Sequence, residues 1–279
     1  HCDQLIIGAG PAGIDAALEG AGSNKRVILI DEQDEPGGGA LADPSLWPWL
    51  ERSVKALAEA PNVTILTRTT AFGYYHDNFV GAVEGLTDHL PEIGDGPREK
   101  LWRIRAGEVI LAQGAIERPL VFDGNDTPGV LLSSAAKVFA NRYGVAVGKS
   151  VVLMASHDSG WHDVFALAKA GAAIAAIIDV RDDVDSALKQ EADRLGIKVY
   201  LNHSVTGVHG RHRVTSVQIC NNEDYLGGRI DCDALLMAGG WTPTVHLWSH
   251  SKGSLEWRDD LGAYVPDKPN EKTRCVGAC

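Results

Sequence analysis

Short apolar runs broken by glycine, with stretches of helical character between them, set the pattern of this chain. Leu5-Ile6-Ile7 breaks into Gly8-Ala9-Gly10-Pro11-Ala12-Gly13 and continues into an Ala-rich stretch, Ile14 to Gly20. A second apolar run, Arg26 to Ile30, ends at Asp31-Glu32. That order predicts strand, glycine turn, helix, strand and acidic terminus. Trp47 to Ala60 reads as a helix with Leu50, Val54 and Leu57 on one face, and Val63 to Leu66 as a short strand. Thr70 to Val83 is strand-rich with a turn at His76-Asp77-Asn78. Leu101 to Arg105 and Glu108 to Gly114 are two more strand candidates, and Asp88 to Glu99, polar and rich in Gly and Pro, is a surface loop.

A second series of the same kind follows. Val151 to Met154 predicts a strand, Val164 to Ala170 a helix, Ala173 to Ile178 a strand closing on Asp179, Val184 to Leu195 a helix, and Lys198 to Leu201 a strand. This series is bracketed by two similar runs, Glu108 to Gly114 and Ala234 to Gly239, each an apolar strand ending in small residues with a Pro beyond, Pro119 and Pro243. The expected fold is therefore α/β, with two nested Rossmann-like domains. One is discontinuous, residues 1–118 plus 238–279; the other, 119–237, is inserted into it.

The spacing of the first series is that of a dinucleotide site. Gly8 permits a tight turn off the strand, Gly10 leaves room for a pyrophosphate, and Gly13 lets the helix pack closely on the strand. The helix amino-terminus at Pro11, Ala12 and Gly13 presents amides and a positive dipole end to phosphate. Asp31, eighteen residues after Gly13, is placed to bond an adenosine ribose and to disfavour a 2′-phosphate. The glycine-rich loop after Gln33, with Gly38 and Gly39, allows backbone to approach a ligand; its plainer reading is a flexible connection. In the second series the corresponding loop, Ala155 to Gly160, keeps only Gly160, and His157 fills the volume that pyrophosphate needs. A domain that draws hydride from NAD(P)H requires that cradle, so the inserted domain is expected not to use NAD(P)H in the usual way; the alternative is that His157 and the helix amino-terminus hold a different anion.

Composition narrows the picture further. At 279 residues, 44% apolar and 23% charged, the chain suits two soluble domains. A net charge of −11 argues against nucleic acid or an anionic membrane as general partner. No apolar run reaches membrane-span length and no signal peptide is evident, so a cytoplasmic protein is expected. The chain starts at His1 on top of its first strand and stops at Cys279 in mid-pattern, as a piece of something longer would. Five scattered cysteines without C-x-x-C suggest neither a disulfide framework nor a redox dithiol. Cys275 and Cys279 read as ordinary thiols or as the start of an iron–sulfur ligand set.

At Gly114 to Val130 the motifs become more specific than a fold. The run G-A-I-E-R-P-L-V-F-D-G-N-D-T-P-G-V, with Ser133 to Ala136 and Asn141 to Val145, resembles the alpha subunit of heterotetrameric sarcosine oxidase. So do Thr69 to Tyr75 with His76-Asp77-Asn78, and Gly239 to Leu247. Alpha subunits of opine and proline dehydrogenases share several of these motifs. The resemblance covers nearly the whole chain but only the dinucleotide-binding portion of that longer polypeptide, whose fold is pyridine nucleotide-disulfide oxidoreductase-like. It implies a complex with beta, gamma and delta subunits that oxidatively demethylates sarcosine to glycine with oxygen reduced to hydrogen peroxide. The FAD of the beta subunit, together with FMN at the alpha–beta boundary, carries that chemistry. The resemblance also implies a tightly held NAD, or FAD, in the first site, with contacts at Gly10, Ala12, Gly13, Asp31, Glu32, Gln33 and Gly39 and with Ala71 near the adenosine; the glycine turn, the glycine-rich loop and the strand end add Gly8, Pro11, Gly38 and Gly114 as expected site residues. No catalytic residue and no metal ligand is expected in this chain. The alternatives are a stand-alone FAD-dependent NAD(P)H oxidoreductase, the alpha subunit of an opine or proline dehydrogenase, and a scaffold that binds nucleotide only for stability.

The remaining candidates have plain readings beside sharper ones. His246 with His250, and His209 with His212, lack a third metal ligand at suitable spacing. His162-Asp163 starts a helix rather than a proton abstraction. Arg211 and Arg213 read as a solvated strand edge, Glu117-Arg118 as a local ion pair or a substrate contact. Trp161, Trp241, Trp248 and Trp257 read as packing residues or as stacking partners for a flavin.

Overall fold

The computed structural model describes residues 1–92 and 94–279; Ile93, inside the predicted Asp88–Glu99 loop, lies outside the described residues. The chain divides into two compact units, His1–Ile116 with Thr242–Cys279, and Glu117–Trp241.

In unit 1, β1 (Cys2–Ile7), α1 (Pro11–Gly22), β2 (Val27–Ile30), α2 (Trp47–Glu59) and β3 (Val63–Leu66) build a parallel sheet. A meander of β4 (Thr69–Tyr75), β5 (Phe79–Gly85) and β6 (Glu99–Leu111) continues it, in the order β3-β2-β1-β6-β5-β4. The second half of β1, Leu5-Ile6-Ile7, is an apolar run because both faces are covered. Leu5 and Ile7 pack with Tyr74, Ile104 and Trp248. Ile6 packs on the other face with Ile14 and Ala17 of α1 and Leu50 and Leu57 of α2.

The two strands expected at 101–105 and 108–114 are one, β6. Its first half pairs antiparallel with β5, from Glu99↔Gly85 to Arg105↔Phe79. Its second half pairs parallel with β1, from Ala106↔Cys2 to Leu111↔Ile7. Gly107, at the changeover, passes so near β1 that a Cβ there would lie 2.8 Å from the Asp3 carbonyl oxygen. This glycine, between the two expected strands, is thus the point where one strand leaves one partner for another.

Unit 2 follows a short strand, β7 (Ala115–Glu117). Its parallel sheet has the order β11-β10-β9-β15-β8, from β8 (Val130–Leu132), β9 (Val151–Ala155), β10 (Ile174–Asp179), β11 (Lys198–Tyr200) and β15 (Ala234–Ala238), with α3 (Ser133–Tyr143), α4 (Asp158–Lys169) and α5 (Ser186–Arg194) packed on it. An antiparallel sheet, β12 (His203–His209), β13 (Ser216–Asn221) and β14 (Gly227–Asp231), covers the opposite face through Val205, Val217 and Ile219. Sequence reasoning missed that meander. Arg211 and Arg213, expected on a strand edge, lie in the exposed turn between β12 and β13, where the Arg213 guanidinium donates to the Asp233 carbonyl at 2.9 Å. After β16 (Trp241–Pro243), unit 1 resumes with α6 (His246–His250), the hairpin β17 (Leu255–Arg258) and β18 (Ala263–Pro266), and β19 (Thr273–Cys275), parallel to β6.

The unit boundaries fall at 116/117 and 241/242, rather than the expected 118/119 and 237/238. Local bonding explains the shift. Arg118 N–H donates to the Gly240 carbonyl at 2.8 Å, and Gly239 N–H to the Arg118 carbonyl at 3.0 Å. The side chains of Glu117 and Arg118 each turn to partners elsewhere in the unit. The Glu117 carboxylate caps α3, accepting from Ser133 Oγ at 2.8 Å and from Ser134 N at 3.0 Å. The Arg118 guanidinium donates to the Trp241 carbonyl at 2.6 Å. Among the described residues no helix is long and apolar enough to cross a membrane.

Candidate functional site

β1 ends at Gly8, whose φ of +103° is a left-handed conformation that glycine adopts without penalty. The turn then enters α1 through Gly10, an extended N-cap with no side-chain bond to the helix, followed by Pro11 at the first helical position. Helix geometry leaves the Ala12 and Gly13 amides without an intrahelical acceptor, and no acidic side chain sits in that first turn. The three glycines are required by different neighbours. A Cβ on Gly8 would strike the Ala112 carbonyl, and one on Gly13 would strike the Gly8 carbonyl. A Cβ on Gly10 would meet nothing within 4 Å.

Asp31 follows β2 and holds this turn in place. Its Oδ2 accepts from the Ala9 amide at 2.5 Å and its Oδ1 from the Gln33 amide at 2.8 Å. The glycine-rich loop is fastened to the same turn: Gly37 N–H donates to the Ala9 carbonyl at 2.7 Å. Gly38 packs so closely that a Cβ on it would lie 2.9 Å from the Gly10 Cα, whereas Gly39 is open. The carboxylate expected to bond an adenosine ribose clasps the glycine turn from within.

Beside the clasp lies a cleft of about 420 Å³ lined by Ile7, Gly8, Asp31, Glu32, Thr69, Thr70, Ala71, Gln113, Ala115, Ile116 and Thr244, a volume within the usual range of small-molecule sites. Of the residues expected from sequence, Gly8, Asp31, Glu32 and Ala71 line it. Gly10, Pro11, Ala12, Gly13, Gln33, Gly38 and Gly39 belong to the adjoining turn and loop. Gly114, with φ of +68°, accepts at its carbonyl from Thr244 N at 3.0 Å and so anchors the opposite wall. Thr69, Thr70, Ala115, Ile116 and Thr244 were not named as site residues. Their signal was proximity, since each lies within two residues of Ala71 or Gly114 in the chain or, for Thr244, bonds to Gly114. Gln113 carries a further mark: its Oε1 is buried and has no hydrogen-bond partner within the protein.

The other candidates disperse. Trp161 and Trp248 are buried, their indole N–H groups donating to Asp179 Oδ2 at 2.7 Å and the Ser254 carbonyl at 2.8 Å. Trp241 donates to Ser159 Oγ at 3.0 Å, and the half-exposed Trp257 packs edge-on to Tyr264. His162 and Asp163 lie inside α4, not at its start, and the buried Asp163 accepts from Ser133 Oγ at 2.9 Å. His246 and His250 bound α6; His209 ends β12 and His212 lies in the turn after it. Among the described residues no group of three His, Cys, Asp or Glu side chains is arranged to hold a metal ion. Cys2 and Cys232 are buried, and burial pushes both thiols up to about 11. The Cys279 thiol donates to the Leu111 carbonyl at 2.9 Å.

Comparison with known proteins places the chain in a family. The family described as "Pyridine nucleotide-disulphide oxidoreductase" matches residues 2–274. The sarcosine oxidase alpha subunit of Rhizobium meliloti (strain 1021) is 38% identical over 95% of this chain and 27% of its own length. That of Corynebacterium sp. (strain P-1) is 39% identical over 100% and 30%. An opine oxidase subunit of Agrobacterium tumefaciens (strain Ach5) is more distant, 25% identical over 95% of this chain and 57% of its own length. Among solved structures, L-proline dehydrogenase from P. horikoshii superposes with a TM-score of 0.70 at 26% identity, covering 99% of this chain and 50% of that one. Thioredoxin reductase from T. acidophilum, TM-score 0.75 at 19% identity over 99% of this chain and 90% of that one, shows the shared fold. The chain thus spans under a third of the length of these sarcosine oxidase relatives.

Proposed function

Because the chain belongs to the pyridine nucleotide-disulphide oxidoreductase family, we propose that unit 1 holds an adenine dinucleotide, NAD in the first reading, as the alpha-subunit portion of an amine-oxidising flavoenzyme complex. The observation that carries this is the state of Gly10. Packing within the protein accounts for Gly8 and Gly13, but nothing in the protein requires Gly10 to lack a side chain. A bare backbone in front of an uncapped helix amino-terminus fits a diphosphate, with Gly8, Pro11, Ala12 and Gly13 completing the turn. The cleft beyond fits an adenosine. Asp31 and Glu32 face its ribose, Ala71 its base, and Gln33, Gly38, Gly39 and Gly114 hold the surrounding backbone. Gln113 Oε1 is the acceptor left for a ligand hydroxyl or amine. FAD carries the same adenosine diphosphate and is the alternative occupant.

The reaction we propose for the whole complex is oxidative demethylation of sarcosine to glycine with formation of hydrogen peroxide, in the cytoplasm. This rests on the 36–39% identity to sarcosine oxidase alpha subunits. Beta, gamma and delta subunits complete the assembly, with FAD on a partner and FMN at a boundary between chains supplying the redox chemistry. This chain's own residues bind and orient a nucleotide. The proline dehydrogenase likeness and the opine oxidase relatives support a second reading with another secondary amine as substrate.

Acid extraction of the full-length chain, purified with its partners, tests the proposal. One equivalent of NAD per chain is expected, together with sarcosine turnover exceeding that of proline or an opine. Release of FAD alone from this chain would replace the NAD reading. Absence of any adenine nucleotide would overturn the site.

A further inference from the structure

The two units repeat one local design, which allows position-by-position comparison. The β1-turn-α1-β2 segment corresponds to β9-turn-α4-β10. Asp31 and Asp179 each close the second strand, and each accepts the amide two residues on, Gln33 N at 2.8 Å and Arg181 N at 2.9 Å. Beyond that shared feature the sites diverge. Where unit 1 has the open Gly10, unit 2 has His157, the N-cap of α4, whose Nδ1 accepts from Ser159 N at 3.1 Å. Asp158 follows, placing a carboxylate in the first turn, where a phosphate would sit. The Arg181 guanidinium closes the arrangement. Its Nε and Nη2 donate to Asp179 at 2.9 and 2.8 Å, and its Nη1 reaches Asp158 Oδ1 at 2.7 Å. Asp179 is fully buried and is further held by the Trp161 indole at 2.7 Å.

We infer that unit 2 takes no pyridine nucleotide, and that an internal Asp158–Arg181–Asp179–Trp161 cluster occupies the crevice in its place. In an open α/β sheet a dinucleotide lies beyond the carboxyl ends of the strands, over the helix amino-terminus. Arg181 spans that gap, from the end of β10 to the start of α4. Its pairing with Asp179 first, and Asp158 next, holds the guanidinium above even the ordinary arginine range, so it stays charged. Two carboxylates against one guanidinium leave excess negative charge at the helix end, which repels a phosphate. A nucleotide would have to break the Asp158 bond, push aside the His157 imidazole and leave a buried carboxylate short of partners. The pyridine nucleotide in the family's name does not fit here.

Hydrogen-exchange mass spectrometry on the full chain with its partners tests this. Millimolar NADH or NADPH is expected to leave exchange across 151–181 unchanged, and protection there would overturn the inference. Segment 5–14 reports separately on unit 1, so failure of the proposed function would be read there. Arg181→Gln is expected to speed exchange in α4 and the end of β10 by about tenfold or more, as loss of charge-assisted bonds in one cooperative segment does. Unchanged exchange would mean that the cluster does not build the crevice. Should that variant fail to fold, Asp158→Ala touches only the exposed end of the bridge. It must still speed exchange in the first turn of α4, and an unaltered rate there would equally overturn the inference.

Discussion

Gly10 and Gly13 stand three residues apart and are glycine for opposite reasons. Gly13 is pressed against the Gly8 carbonyl, whereas Gly10 faces open space. Gly10→Leu is therefore expected to abolish retention of adenine nucleotide while shifting unfolding free energy by less than about 1 kcal/mol, as surface positions do. Gly13→Leu should destabilise the fold itself. Paired urea titrations and nucleotide extraction separate the two. Tyr74 carries a pH dependence of known sign. Burial pushes its phenol up to about 12 from 10.0, and its hydroxyl bonds Asn78 Oδ1 at 2.7 Å. A raised acid favours the neutral form in the folded state. Its contribution is complete below pH 10 and is lost as pH rises toward 12. The stability advantage of the native chain over Tyr74→Phe should shrink over that window, measured as the difference in urea midpoints.

At the scale of elements, the informative case is a helix capped from far away. Leu132, the N-cap of α3, offers the helix no side-chain bond. Glu117, sixteen residues before Ser133, supplies it, with Ser133 Oγ at 2.8 Å and Ser134 N and Oγ at 3.0 and 2.6 Å. Glu117→Ala would take the acceptor from the part-buried Ser134 N and Oγ donors at the helix amino-terminus, while Ser133 Oγ keeps Asp163, so a loss of about 1–2 kcal/mol is expected, with Glu117→Gln less damaging. Urea unfolding followed by exchange in α3 measures it. A dipeptide that reads as a local ion pair is thus part of the architecture of unit 2. β6 teaches the same lesson. The apolar halves at 101–105 and 108–111 were legible, but their continuity through Gly107 was not, because it depends on β5 and β1 flanking one strand at different points.

At the scale of the molecule, each unit encloses its own core on both faces of a parallel sheet. Nucleotide binding to unit 1 should then act as a local stabiliser. At a hundredfold excess over Kd, free NAD is expected to raise the stability of unit 1 by about 2.7 kcal/mol. Hydrogen exchange in β1 and α1 reads this directly, and unchanged exchange there would count against the site. The chain spans 27–30% of the length of the sarcosine oxidase alpha subunits it matches.

What the amino-acid order determined alone was whatever depends on near neighbours. The strand–turn–helix–strand series, the glycine turn at 8–13 and the acid at 31 rest on periodicity and on local steric demands, which a few consecutive residues express. The failed glycine pattern at 155–160 was legible for the same reason. What only the tertiary structure decided was the identity of partners distant in the chain. Asp31 clasps Ala9, Gln113 is left with an unanswered acceptor, Glu117 caps α3, and Arg181 bridges two carboxylates across a crevice. A side chain's charge and length say what it can bond, but the chain's path through space chooses the partner, and hydrogen bonds fail beyond a few ångströms.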